Sequence, residues 1–157
     1  MVNYKALFKL VALIFLTYSD LATAHMKTGS LGKKTTGAAA TDTYYVTCRN
    51  EDLSGGYALA DHLVISVRDI APALAPLISI QVSKNGISST LSTDPKDGDA
   101  KYSPTVRLAR GAGTYLLTIN KSLSTKKGIE TYIAQFHCET ATNSHTATDE
   151  PQLIINQ

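Results

Sequence analysis

The chain has 157 residues, 15 of them basic and 13 acidic, for a formal net charge of +2. That balance lacks the concentrated basic patch that phosphate binding requires, which excludes nucleic acid as a partner. Charged residues make up 18% of the chain, Trp is absent, and Thr, Ser, Ala and Gly are plentiful. This composition suits an exported all-β domain better than a cytosolic helical one.

Residues 1–24, MVNYKALFKLVALIFLTYSDLATA, have the layout of a secretory signal peptide. Lys5 and Lys9 make a positive start, residues 10–18 form a short apolar run, and Ala22 and Ala24 supply the small residues of a cleavage site. The run is shorter than the ~20 residues a membrane helix needs. Cleavage removes Lys5, Lys9 and Asp20 and leaves 13 basic and 12 acidic residues, a net charge of +1. The expected location is periplasmic or extracellular, with no membrane span in the mature chain.

Residues 25–42, HMKTGSLGKKTTGAAATD, show no apolar period and are rich in Gly, Thr and Lys. They read as a flexible leader. They also lack the alternating apolar pattern of a donor strand, which argues against pilus-type strand exchange. The folded domain is expected over 43–157.

From Thr43 onward, apolar residues recur at every second position, the period of a half-buried strand. Tyr44, Val46 and Cys48 share one face of the first strand. LVISVRD (63–69) places Leu63, Ile65 and Val67 inward, and LISIQVSKNG (77–86) places Ile78, Ile80 and Val82 inward. Asn85-Gly86 then signals a hairpin, with a short strand over 87–92. Pro72 and Pro76 mark the connection before it. Val106 and Leu108, then Tyr115, Leu117 and Ile119, then Tyr132, Ala134, Phe136 and Cys138 form three further inward rows. A weaker last strand is expected over 152–156. The expected fold is all-β, an antiparallel two-sheet β-sandwich or jelly roll.

Cys48 and Cys138 are the only cysteines. Both follow the signal peptide, lie in an oxidising compartment, and sit on the apolar faces of the first and last core strands. They are expected to form a disulfide.

The order ISVRD, ISIQVSKNG, DPKDGDAKYSP and GAGTYLLTI resembles that of bacterial pre-peptidase C-terminal domains over about residues 43–138. Gly113, Tyr115 and Leu117 match the family's G-x-Y-x-l strand. The resemblance implies a small secreted jelly-roll module, of a kind that includes binders of calcium, collagen or carbohydrate. The chain departs from the family in standing without a protease domain and in carrying the cysteine pair.

TDPKDGDAKY (93–102) sets Asp94, Asp97 and Asp99 around Pro95 and Gly98. Two readings stay open. Asp-Pro and Asp-Gly are turn residues for local reasons; the same three carboxylates are candidate calcium ligands, because calcium takes about 6–8 oxygens. Their spacing is not that of an EF-hand. Glu51 and Asp52 form a similar, smaller acidic group.

Cleavage after Ala24 starts the mature chain at His25, whose α-amine and imidazole suit copper, with His137 and His145 as partner ligands. His62 reads as structural. No G-x-S-x-G elbow, P-loop or dinucleotide fingerprint occurs, so no catalysis is expected. The leading expectation is a non-catalytic binding or structural module stabilised by calcium, with a protein or carbohydrate surface as partner. The alternatives are a periplasmic copper-binding protein and a self-assembling surface or filament subunit, a homo-oligomer using outward Val64, Leu77, Leu116 and Ile133.

Overall fold

The computed structural model describes residues 24–32, 39–53, 56–71, 76–122 and 128–157. The expected signal peptide other than Ala24, residues 33–38 of the expected leader, and residues 72–75 of the proline-marked connection lie outside them.

In chain order the strands are β1 (His25–Leu31), β2 (Thr41–Arg49), β3 (Glu51–Leu53), β4 (Gly56–Ala58), β5 (His62–Ala71), β6 (Ile78–Lys84) and β7 (Ile87–Ser88). They continue as β8 (Ser92–Thr93), β9 (Val106–Ala109), β10 (Gly113–Lys121), β11 (Glu130–Glu139), β12 (His145–Thr148) and β13 (Gln152–Ile155). Every regular element among the described residues is a strand, and every pairing is antiparallel.

The fold is a sandwich of two faces joined along one side. One face has β10 between β2 and β6, with β7 and β8 beyond β6 and β13 beside β2. The other has β5 between β9 and β11, with β1 on the far side of β11. β12 pairs with β11 through Cys138 and Glu139 and with β2 through Cys48 and Arg49, so it carries one face into the other. β3 and β4 form a separate hairpin.

The alternating rows read from the sequence make the core. Tyr44, Val46, Leu63, Ile65, Val67, Ile78, Ile80, Val82, Tyr115, Leu117, Ile119, Tyr132, Ala134 and Phe136 are all buried between the faces. The turn after β6 has Asn85 at φ 51° and Gly86 at φ 78°. A two-residue hairpin turn of type I′ needs positive φ at both positions, and Asn-Gly tolerates it best.

Cys48 and Cys138 are bonded across the sandwich, with Cα atoms 5.5 Å apart and a sequence separation of 90. β12 runs beside this bond. Its Thr146 and Thr148 pair with Cys138 and Cys48, and the Thr148 hydroxyl accepts the Cys138 N–H at 2.8 Å.

The expected flexible leader differs from the structure over its first residues. His25–Leu31 is strand β1, paired in unbroken register with residues 130–136 of β11. Among its inward positions only Leu31 is a large aliphatic residue, so backbone pairing and close fit hold it, not an apolar stripe. Gly29 lies directly opposite Tyr132, and a Cβ there collides with the Tyr132 ring. The Tyr132 hydroxyl is fixed in turn, donating to Asp42 Oδ2 at 2.6 Å and meeting the Tyr44 hydroxyl at 2.6 Å.

The outward apolar residues also differ from expectation. Val64 is 3% exposed, flanked in the sheet by Arg107 and His137, and Leu77, Leu116 and Ile133 are half-buried. The exposed apolar residues include Tyr45 on β2 and Leu153, Ile154 and Ile155 on β13.

Candidate functional site

The register of β5 against β11 defines two ends of the sandwich. His62 lies opposite Glu139 at one end and Asp69 opposite Tyr132 at the other. Seven residue steps along the strand separate them, roughly 23 Å at ~3.3 Å per residue.

At the first end, polar side chains converge on the outer face of the β5–β11 sheet. The Glu139 carboxylate is buried and meets His62 Nε2 at 2.8 Å through Oε2 and His137 Nε2 at 2.8 Å through Oε1. Asp61 Oδ2 lies 2.9 Å from His62 Nδ1, so the His62 ring is held by a carboxylate at each nitrogen. Arg107 approaches Glu139 Oε2 at 3.7 Å. His145 lies opposite Glu139 in the β11–β12 pair and stacks on His137, with ring centres 4.3 Å apart and planes at 4°. Burial pushes the His137 imidazole below its ordinary pKa, against the pull of its hydrogen bond to Glu139. Burial alone pushes the Glu139 carboxyl up, but hydrogen bonds from His62 and His137 and the nearby charges hold it below the usual carboxylate range.

Beside this cluster an open groove of about 470 Å³ runs between residues 57–61 and residues 140–142. Tyr57 and Leu59 stand 64% and 59% exposed on one wall. The other wall is the turn after β11, where the Thr140 hydroxyl accepts N–H groups from Thr142 and Ser144. Asp61 lines the groove while its carboxylate is tied to His62, so the groove and the histidine cluster share a residue.

At the second end, charged residues occupy the last inward positions of core rows. Asp69 continues the row Leu63, Ile65, Val67; Glu130 precedes Tyr132 and Ala134; Lys121 follows Leu117 and Ile119. Asp69 and Glu130 are fully buried. Oxygen atoms of Asp69, Asp97 and Glu130 lie within 4.8 Å of one another. Lys121 Nζ stands 4.0 Å from Glu130 Oε1 and donates to the Gly128 carbonyl at 2.6 Å. Burial, aided by the facing carboxylates, pushes the Asp69 carboxyl up to about 7. Burial does the same to Glu130, also to about 7, with Lys121 opposing it.

The structure therefore splits the acidic loop read from the sequence. Asp94 is buried as a backbone ligand: its Oδ2 accepts the Asp69 N–H at 2.7 Å and its Oδ1 the Lys96 N–H at 3.1 Å. Asp99 caps its own turn by accepting the Lys101 N–H at 2.7 Å. Asp97 alone of the three joins an acidic cluster, and its partners there come from β5 and β11. The copper set splits too. His137 and His145 lie together, beside Glu139 and His62. His25 pairs with Phe136 and stacks on its ring at 5.9 Å. Directly opposed residues share a face of a sheet and adjacent residues do not, so His25 lies on the face of β11 opposite His137.

Among the described residues no helix is long and apolar enough to cross a membrane. Comparison with protein-family models, curated proteins and solved structures returns no match for this chain.

Proposed function

We propose that this chain is an exported binding module that holds a saccharide chain in the groove between residues 57–61 and 140–142. The observation that carries this reading is the exposed Tyr57 ring on a groove whose carboxylate, Asp61, is fixed in place by His62. Ligand sites combine apolar and aromatic walls with a few positioned polar groups, and an exposed tyrosine ring beside a carboxylate and threonine hydroxyls suits the apolar face and hydroxyl rim of a sugar. The formed disulfide supports an oxidising compartment, as does the signal-peptide layout of residues 1–24. The resemblance to pre-peptidase C-terminal domains over residues 43–138 favours an accessory binding role over catalysis.

Screening the mature chain against immobilised polysaccharides and soluble oligosaccharides tests this. Binding is expected, and Tyr57→Ala is expected to weaken it at least about tenfold, a loss of about 1.4 kcal/mol. Absence of saccharide binding, or wild-type affinity in Tyr57→Ala, overturns the reading; binding of extended peptides instead reassigns the groove to a protein partner.

A second reading is favoured by two of the four histidines meeting at the Glu139 carboxylate with a third, His145, stacked on His137. Imidazole and carboxylate suit copper or zinc, and His137, Glu139 and His145 each offer a ligand atom. The parallel stack means that one ring must turn before both imidazoles reach a single ion. Copper titration followed by electron paramagnetic resonance is expected to report nitrogen ligation that His145→Ala removes. An unchanged spectrum in that variant rules this site out.

A further inference from the structure

We propose that Asp69, Asp97 and Glu130 form a calcium site that fastens the loop over residues 94–101 to the end of the sandwich opposite the groove. Three observations carry it. The first is orphaned polarity. Asp69 and Glu130 are fully buried, and none of their four carboxylate oxygens has a hydrogen-bond partner among the described residues. A buried carboxylate without a partner is strongly unfavourable unless a cation or a proton compensates it.

The second observation is spacing. Calcium–oxygen bonds are about 2.3–2.6 Å, so two ligands on one ion can stand up to about 5.2 Å apart. The oxygens of Asp69, Asp97 and Glu130 fall within that limit. The set is all oxygen, which disfavours zinc and copper. Magnesium demands a tighter octahedron at about 2.0–2.1 Å and gives up water reluctantly.

The third is charge. Among the described residues the ammonium of Lys121 faces Asp69 and Glu130, one positive charge against two fully buried carboxylates, and a divalent cation adds the charge they lack. Lys121 does not fill the role itself. Its Nζ is drawn to the Gly128 carbonyl at 2.6 Å and stays 4.0 Å from Glu130.

The loop is built to deliver Asp97 to this place. Asp94 N–H donates to the Ile78 carbonyl at 2.9 Å, and Asp94 Oδ2 holds the Asp69 N–H, which anchors the loop's start on both faces of the sandwich. Ser103 pairs with Val67 through its N–H and its hydroxyl, which anchors the other side. Gly98, at φ 73°, turns the chain back and donates to the Asp69 carbonyl at 3.3 Å. An ion between Asp97 and the two strand carboxylates ties loop, β5 and β11 together.

The test is a calcium titration of the mature, disulfide-bonded chain after stripping with EGTA, read by calorimetry and by melting temperature. Saturable binding to one site is expected, with Kd on the order of 10⁻⁴ M or tighter, a rise in melting temperature, and a much smaller response to magnesium. Glu130→Gln and Asp97→Asn are each expected to weaken calcium binding at least about tenfold. Asp97 is on the loop and half-buried, outside the core rows, so Asp97→Asn keeps the test valid if the core variant folds poorly. Asp99→Asn, which touches only the turn, is expected to bind as the wild type does. Lack of a calcium response in the stripped wild type, or undiminished binding by Asp97→Asn and Glu130→Gln, overturns the proposal.

Discussion

Reducing the Cys48–Cys138 bond is expected to lower the stability of the domain by about 4–5 kcal/mol, because the bond closes a loop of 90 residues. That loss corresponds to a fall in melting temperature of more than about 10 °C for a domain of this size. The cross-link acts first on the unfolded chain, from which it removes conformations, and more of them when the loop is long. The native state adds a second cost. The disulfide lies where β12 passes from one face of the sandwich to the other, pairing with the backbones of both cysteines. Without the bond that junction rests on the few hydrogen bonds of a four-residue strand. Guanidinium unfolding with and without reductant, and of a Cys48→Ala/Cys138→Ala chain, measures the effect. A midpoint that does not move with reductant contradicts it.

The second large effect is an unusual pH dependence in the calcium-free chain. Asp69 rises from an ordinary 3.8 to about 7 in the fold, and Glu130 rises to about 7 from 4.5. Between the ordinary and the raised values the folded chain holds protons that the unfolded chain has released. Stability therefore falls as pH rises through that window. The contribution is fully present below about pH 4 and is lost as pH passes about 7. For Asp69 alone it is on the order of 4 kcal/mol. His137 runs the other way, since burial lowers its pKa and its contribution is lost as pH falls. The clean measurement is the difference between the wild type and Asp69→Asn, melted in EGTA from about pH 5 to about pH 8. The wild type is expected to lose more stability than the variant over that range. Parallel profiles contradict the burial of these carboxylates.

The strands were legible because their inward rows are apolar at every second position. β10 (Gly113–Lys121) and β11 (Glu130–Glu139) bury the rows Tyr115, Leu117, Ile119 and Tyr132, Ala134, Phe136, Cys138 that their alternation marks. β1 was not legible. Its inward positions are His25, Lys27, Gly29 and Leu31, and its place in the fold comes from pairing with β11 and from the space Gly29 leaves for Tyr132. β12 was hidden for a related reason: HTAT is short and polar, and only the two cysteines it runs beside give it a role.

The candidate metal residues show the same division. Asp94, Asp97 and Asp99 attracted attention because they are neighbours in sequence, yet Asp94 and Asp99 are occupied with backbone N–H groups. The more informative signal was an acid in register with a core row. Asp69 follows Leu63, Ile65 and Val67 at the same two-residue step, and Glu130 precedes Tyr132, Ala134 and Phe136. Period-2 alternation alone places both side chains between the sheets, where a charge demands a partner. Glu139 and His62 are also one step apart in the sheet and 77 residues apart in sequence, so only strand register reveals their contact.

Proton and calcium are alternative ways to satisfy the same buried carboxylates, and a crystal structure of the chain grown with calcium separates them most directly. An anomalous peak bonded by Asp69, Asp97 and Glu130 at about 2.3–2.6 Å is expected. A map with no peak there, and with Lys121 or a water molecule satisfying both strand carboxylates, contradicts it.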